Sequence, residues 1–542
     1  MKTIKISICF LALITLINSC QEPMKEITRY DYPRAFSPVS LTVQKGTFDV
    51  ATVSWGVIDD AKSYVIELSQ GDSLQFNNIV ATYETDLMSQ KLTGLLAETM
   101  YSVRVKAKAF NDGQDDSQWA SIAFKTNPEQ IFYAVANEDI KTGRITVRWT
   151  PNAEVTNITV NHGIGDIPLT PEEIAAGVKT LTGLESNTTY TITIYNGEQK
   201  RGTLTVTTKW RPSGENVVEL AIGDDLRTVI ADPTNVGKII YLPEGYEYTW
   251  SGGTTAVGGF TVYGDPDGDL PVITCSAGTP LSVNGLTSGT EVIHFENVEL
   301  DCTNASGYFI NQGTDATGNA CHIQSLSFEN CVLSGFARSL VRTQALNESF
   351  DTIRVNNCLI ENRGIENGQN YAVIQSTVAF DAFPNIIFTN TTVNVSHAGF
   401  LTISGGAGQP SGNNVLIQNC TFYKTVGSNS ATADNRFFID AGNNGPVNIT
   451  INNCIFGSVV GVGSERGYRM NAAGTFTASG NYATTDWATA EDLTQNPQIQ
   501  NILVTLYNGT CAKLFVDPDN GDFHIQDVSF AGKSTAGDPR WW

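Results

Sequence analysis

From residue 38 to 208, and again from 215 to 500, apolar and polar residues alternate in short runs, the pattern of strands with one buried face. In the second stretch the pattern recurs. The segments VIHFENVEL, SLSFENCVL, TIRVNNCLI, NIIFTNTTV, NVLIQNCTF, NITINNCIF and TFTASGNYA each read as a strand, an Asn turn and a second strand, with a longer loop and a third strand after them. The matching residues are Asn297, Asn330, Asn357, Asn390, Asn419, Asn453 and Asn481, separated by 33, 27, 33, 29, 34 and 28. Upstream, Gly264 of Thr261-Val262-Tyr263-Gly264 stands a further 33 before Asn297.

One such unit cannot bury its own apolar face, so the repeat predicts stacked coils with a continuous core. The pattern resembles a right-handed parallel β-helix over 215–500, with 501–542 as its C-terminal cap. Asparagines stacked at one turn predict an inward ladder, each amide bonding the next coil and satisfying buried groups at the bend. Cys331, Cys358, Cys420 and Cys454 follow the Asn in four coils and are expected to be buried thiols. The state of Cys275, Cys302, Cys321 and Cys511, paired or free, stays open. Before the first coil, Asp224 or Asp225 is placed to cap a short helix from Leu226 to Ala231 that covers the open end. Ile239 to Leu242 follows as the first strand, and this start resembles that of pectinesterase and pectate-lyase-like β-helices.

The earlier stretch holds two copies of another pattern. A Trp-bearing strand, Val53-Ser54-Trp55, is followed by Leu92-Thr93-Gly94-Leu95 and then Thr99-Met100-Tyr101-Ser102-Val103. The second copy runs Ile145 to Trp149, then Leu181-Thr182-Gly183-Leu184 and Thr189-Tyr190-Thr191, with a capping box at Thr170-Pro171-Glu172-Glu173 inserted. Core Trp and corner Tyr in this order resemble fibronectin type III sandwiches, at 39–126 and 127–210. The expected fold class is therefore all-β: two such sandwiches followed by the parallel β-helix. With Trp55 and Trp149 at the core position, the sandwiches read as a spacer rather than as sugar-binding modules.

In the coil the third strand is the candidate for function. An apolar residue precedes Asn311, Arg342, Gln375, Ser404, Asp440 and Asn471, so alternation turns these six outward in a row. At a strand spacing of about 4.8 Å the row spans roughly 24 Å, room for several sugar units. It holds one carboxylate, where glycoside hydrolysis uses two about 5–9.5 Å apart, so it fits hydrogen bonding to a glycan better than acid–base chemistry. Asp351, Glu366 and Asp381 are loop acids that could lean over it. No metal-ligand spacing stands out, and Ca²⁺ enters only if the protein is a lyase. Aromatic residues that sugars could stack on gather at Tyr246-Glu247-Tyr248-Thr249-Trp250, and Trp487, Trp541 and Trp542 are expected in part as capping contacts.

Charge narrows the partners. The 542 residues carry 33 Lys+Arg against 55 Asp+Glu, a net charge of -22, which argues against a nucleic acid partner. The first residues, MKTIKISICFLALITLINSC, read as a signal peptide over 1–19. Lys2 and Lys5 precede an apolar stretch too short to span a membrane, and Ile17-Asn18-Ser19-Cys20 resembles a lipobox, making Cys20 the expected lipidation site and 20–38 a tether.

The tail reads Leu514-Phe515-Val516-Asp517-Pro518, then Gly521-Asp522-Phe523-His524-Ile525, and finally Gly537-Asp538-Pro539-Arg540-Trp541-Trp542. With the lipobox, the paired sandwiches and the Asn-Cys coils, it resembles a group of Bacteroidota surface lipoproteins from plant polysaccharide utilisation systems, whose β-helix carries paired domains of unknown function. The resemblance implies an outer-membrane, lipid-anchored protein at the cell surface, a polysaccharide partner that is often pectic, and association with a surface glycan-import complex. A polysaccharide lyase acting on uronate polymers by β-elimination is the alternative expectation; a structural or adhesive surface protein is the third.

Overall fold

The computed structural model describes residues 33–542 apart from 60, 72, 277, 306, 313–319, 337, 345–347, 362–370, 377–382, 395–398, 404–412, 429–436, 443–445, 462–466, 471–472 and 488–498. The expected leader, Cys20, and most of the tether lie outside the described residues, as do Ser404, Asn471, Glu366 and Asp381. The protein is all-β and divides into two compact units. No described helix is long and apolar enough to cross a membrane.

The first unit holds the two sandwiches. In one, Thr42–Lys45, Val50–Ser54 and Ser89–Thr93 form a sheet, and Ile79–Thr85, Ala61–Gln70, Met100–Ala109 and Ala120–Lys125 form the facing one, in that order. Trp55, Ile66, Leu68, Val103 and Val105 fill the space between them. The Tyr101 hydroxyl accepts from Leu96 N at 3.0 Å, the corner tie that the sequence predicts. The second sandwich repeats the plan, pairing Val178–Thr182 with Arg144–Arg148 and ordering Gly165–Pro168, Asn157–Val160, Thr189–Asn196 and Gln199–Thr207. Trp149 is buried there. The inserted helix Pro171–Ala176 starts on its capping box, with Glu173 N donating to Thr170 Oγ1 at 3.3 Å and Thr170 N to Glu173 Oε2 at 2.9 Å.

The second unit is a β-solenoid of three sheets, parallel throughout except where Ile499–Gln500 adds antiparallel to the end of the third. Strands visit the sheets in rotation, so Phe260–Gly264 belongs to the first, Val272–Cys275 to the second, Leu281–Ser282 to the third, and Glu291–Glu296 returns to the first. Inward residues such as Phe295, Phe328, Val355, Phe388, Ile417 and Ile451 stack into one core. Asp225 caps the helix Leu226–Ile230, whose buried Leu226 and Ile230 close the first coil. At the other end Trp487, Ile502 and Val504 pack on the core.

The asparagine ladder forms at the bend between the first and second sheets. Asn297, Asn330, Asn357, Asn390, Asn419 and Asn453 all hold φ between +50 and +55°, a left-handed conformation that Asn tolerates. Beyond Asn297 the ladder is half-buried at the bend rather than inward. Asn330 Nδ2 donates to Asn297 Oδ1 at 2.6 Å, Asn357 to Asn330 at 3.1 Å and Asn419 to Asn390 at 3.2 Å. One rung is displaced: Asn390 bonds Asn356 Oδ1 at 3.0 Å, and Asn357 Oδ1 accepts instead from Arg540 at 3.2 Å. The seventh place needs correcting. Asn452 pairs with Ser479, so Gly480, with φ +66°, holds the ladder position. Asn481 turns inside, where its Oδ1 accepts from Cys454 N at 2.9 Å. Glycine enters the left-handed region without steric cost, which frees the next residue for the interior.

All eight described cysteines are buried and free. Burial pushes the Cys358 and Cys420 thiols well up, and Cys511 to about 12, so they are poor nucleophiles.

The segment expected as a cap does more than close the end. After Thr505–Leu506 joins the second sheet, residues 507–542 run back along that sheet's outer face. Phe515, Phe523 and Phe530 cluster there with Tyr423 and Ile455 of the coil. Farther back, Trp541 Nε1 donates to Thr392 Oγ1 at 2.7 Å, and buried Asp538 accepts from the same hydroxyl at 2.9 Å while pairing with Arg540.

Candidate functional site

Strand register decides which residues share the outward row of the third sheet. Asn311 pairs with Arg342, Arg342 with Gln375, Gln375 with Thr402, Thr402 with Asp440, and Asp440 with Arg469. Asn311, Arg342, Gln375 and Asp440 are where the sequence places them. The other two places correct the expected row: Thr402 stands in the position expected for Ser404, and Arg469 in that expected for Asn471. Ser404 and Asn471 follow two positions later in the sequence and lie outside the described residues; alternation alone cannot separate the two frames, because each offers a polar residue at the outward place.

The acid of the row is neutralised within it. Arg469 grips Asp440 through two bonds, Nε to Oδ1 at 2.8 Å and Nη2 to Oδ2 at 2.6 Å, and Gly442 N adds a third at 3.0 Å. These bonds take three of the roughly four acceptor sites of the carboxylate and hold it as a charge-paired structural group. Asp351 lies on the first sheet, in the strand Glu348–Asn356, and bonds His322 Nε2 at 2.9 Å. It does not lean over the row. Among the described residues, no group of three or more His, Cys, Asp or Glu converges as a metal site.

The residues around Arg342 escape sequence reasoning. Tyr308 and Tyr371 precede the third strands of the coils on either side, and Arg338 precedes that of Arg342 itself. The two rings meet edge to face with centroids 5.5 Å apart. Arg342 lies 5.3 Å from the Tyr308 centroid and 5.1 Å from that of Tyr371, and Arg338 lies 5.1 and 5.5 Å away. Both guanidiniums donate to the Tyr308 hydroxyl, Arg342 at 2.8 Å and Arg338 at 3.3 Å. Burial raises the Tyr308 phenol, whereas the bond from Tyr308 and then the two arginines lower that of Tyr371. Beside them Gln344 Nε2 donates to Asn311 Oδ1 at 2.8 Å, fixing the amide that begins the row. The available signal was an aromatic or basic residue three or four places before the outward residue in three successive coils.

The other aromatic candidates serve the core. Tyr248 and Trp250 are buried in the first coils, and Trp487 in the last; Tyr246 is exposed. On the first sheet Ser327 Oγ, His294 and Glu296 form a hydrogen-bonded run at 2.8 and 3.1 Å. The strands around it pair on both sides, so their N–H groups are taken by the ladder and no donor pair stands ready for an oxyanion.

Residues 415–541 match the family model described as a domain of unknown function, DUF5123. The match spans the late coils together with the tail that covers them. A two-domain fibronectin type III segment from chicken tenascin is similar at 18% identity and a TM-score of 0.22, covering 32% of this chain and 99% of that one. A computer-redesigned β-sandwich protein is similar at 22% identity and TM-score 0.15, over 17% of this chain and 92% of its own. A structure described as a myokine stands at 26% identity and TM-score 0.15, over 17% and 98%. No curated protein matches. Strand order defines the class: tandem fibronectin type III-like sandwiches joined to a parallel β-solenoid.

Proposed function

We propose that this protein is a cell-surface lipoprotein, anchored in the outer membrane through Cys20, whose solenoid binds an extracellular plant polysaccharide, pectic in kind, for glycan utilisation. The sandwiches act as a spacer, and a surface glycan-import complex is the downstream partner. One observation carries the reading: Asn311, Arg342, Gln375 and Thr402 stand in register on consecutive coils, each partly exposed between buried neighbours. Amides, a hydroxyl and a guanidinium repeated about every 4.8 Å match the hydroxyl-rich edge of a polymer lying across the strands. Tyr371 beside them offers a ring to stack on.

Affinity electrophoresis through gels containing plant polymers tests this. Retardation by a pectic polymer is expected, and it should be lost when Asn311, Arg342 and Gln375 are all changed to Ala. Absence of retardation by every plant glycan would sink the reading. Absorbance from an unsaturated product, followed with and without Ca²⁺, would instead identify a lyase.

A further inference from the structure

We infer that Arg342, with Arg338, Tyr308 and Tyr371, forms a subsite for the free carboxylate of an acidic sugar unit, selective against the methyl ester. The inference rests on the polysaccharide reading above and names the charge state of the unit that the row accepts.

Three observations converge. The first is uncompensated charge. In the solenoid Arg211, Lys424, Arg469 and Arg540 each pair with a carboxylate. Among the described residues Arg342, like Arg227 and Arg354, has no ion pair with a carboxylate, and of these three it is the one in the outward row; the whole chain carries a net charge of -22. An acidic protein repels a polyanion at long range, so attraction must come from a cation left unneutralised at short range.

The second is crowding of like charge. Two guanidiniums lie within 5.5 Å of both ring centroids and share one phenol oxygen. Ring faces offset part of the repulsion, because their quadrupole attracts cations. An anion beside the Arg342 guanidinium would offset more of it. The Tyr371 phenol is lowered first by the bond from Tyr308 and only then by the two arginines.

The third is spare donor capacity. A guanidinium has five N–H donors in a planar fork. The described partner of Arg342 is the Tyr308 hydroxyl, at 2.8 Å, and that bond also fixes the side chain's direction. A carboxylate takes two parallel bonds from such a fork, whereas a methyl ester has lost both its charge and one acceptor's strength. Tyr371 then supplies a stacking face next to the clamp, and Asn311 and Gln375 supply neutral contacts on the adjoining coils.

The experiment compares full-length protein on polygalacturonate and on its fully methyl-esterified form, in buffer containing a chelator, with a neutral glucan and a sulfated polymer as further arms. Polygalacturonate should bind about tenfold or more tightly than the ester, the worth of one charge-assisted bond pair. Arg342→Gln should remove that preference while leaving the melting temperature in place, and Arg342→Lys should restore part of it. Equal binding of acid and ester, or an Arg342→Gln variant that keeps the preference, overturns the subsite while leaving polysaccharide binding standing. Binding that vanishes in chelator overturns it too, because a bridging cation would then carry the charge. Stronger binding of the sulfated polymer, equally lost in Arg342→Gln, replaces carboxylate by sulfate and overturns the assignment. If no polymer binds, both readings fail together.

Discussion

The second and third sheets belong to the same coils and follow the same alternation, yet their outer faces differ. On the late strands of the second sheet the outward residues include Tyr423 and Ile455, and residues 507–542 bury them. On the third sheet the outward residues are Asn311, Arg342, Gln375 and Thr402, and they remain partly exposed. A coil has three faces to solvate. This chain covers part of one with its own apolar tail and leaves another furnished with hydrogen-bonding groups. Under the proposed function the covered face serves stability and the polar one recognition, and substitutions should separate the two.

The largest effect is expected under the tail. Phe523 is fully buried against Tyr423, Phe515 and Trp541. Phe523→Ala should cost about 3–5 kcal/mol in denaturant unfolding of the solenoid, with glycan retention unchanged wherever the protein stays folded. Asp538→Ala comes next. It leaves Arg540 without its carboxylate and Thr392 without an acceptor, at about 3 kcal/mol, the lower end for breaking a buried pair because Arg540 keeps some water and its bond to Asn357. Loss of retention by either variant while folded would break the division of labour.

Smaller changes sharpen it from the other face. Asp440→Ala removes a partly exposed ion pair worth about 0–1 kcal/mol. It also frees Arg469 in the row, so retention of an anionic polymer should rise by a few-fold, about the worth of one added near-surface cation. Unchanged retention would confine recognition to the neighbourhood of Arg342. The gentlest test is pH. Asp527 is held at about 2, below its ordinary 3.8, first by the Ser529 hydroxyl and then by Tyr507. Its folded value is the lower one, so its contribution is complete above pH 3.8 and fades as pH falls towards 2. Hydrogen exchange in residues 507–530 should rise over that window in the wild type and not in Asp527→Asn.

Much of this organisation is legible in the sequence because stacking imposes a period. The Asn turns from Asn297 to Asn453 and the buried thiols after them follow from spacing, and a short helix capped by Asp224 or Asp225 follows from residue type; the structure selects Asp225. The third strand is harder. Its outward residues Gln375, Thr402 and Asp440 are separated by 27 and then 38 residues, since the preceding loops vary in length. Alternation gives the face of a residue but not its place along the strand, which is why Thr402 and Arg469 were displaced by Ser404 and Asn471 in the expected row. The Tyr308–Tyr371–Arg338 grouping depends on three turns converging across coils, and its local trace is confined to an aromatic or basic residue three or four places before each outward one. The covered face carries a local signal of its own: Thr421-Phe422-Tyr423 and Ile455-Phe456-Gly457 place no charge outward, whereas Glu299-Leu300-Asp301 does.

The bond from Arg540 to Asn357 crosses 183 residues of chain, and that from Asp538 to Thr392 crosses 146. Neither can form until the coils carrying Asn357 and Thr392 have stacked in register. Docking of the tail therefore acts as a completion check on assembly: a solenoid with a slipped coil offers Trp541 and Asp538 no matching seat, and leaves Tyr423 and Ile455 bare for proteases and chaperones to find.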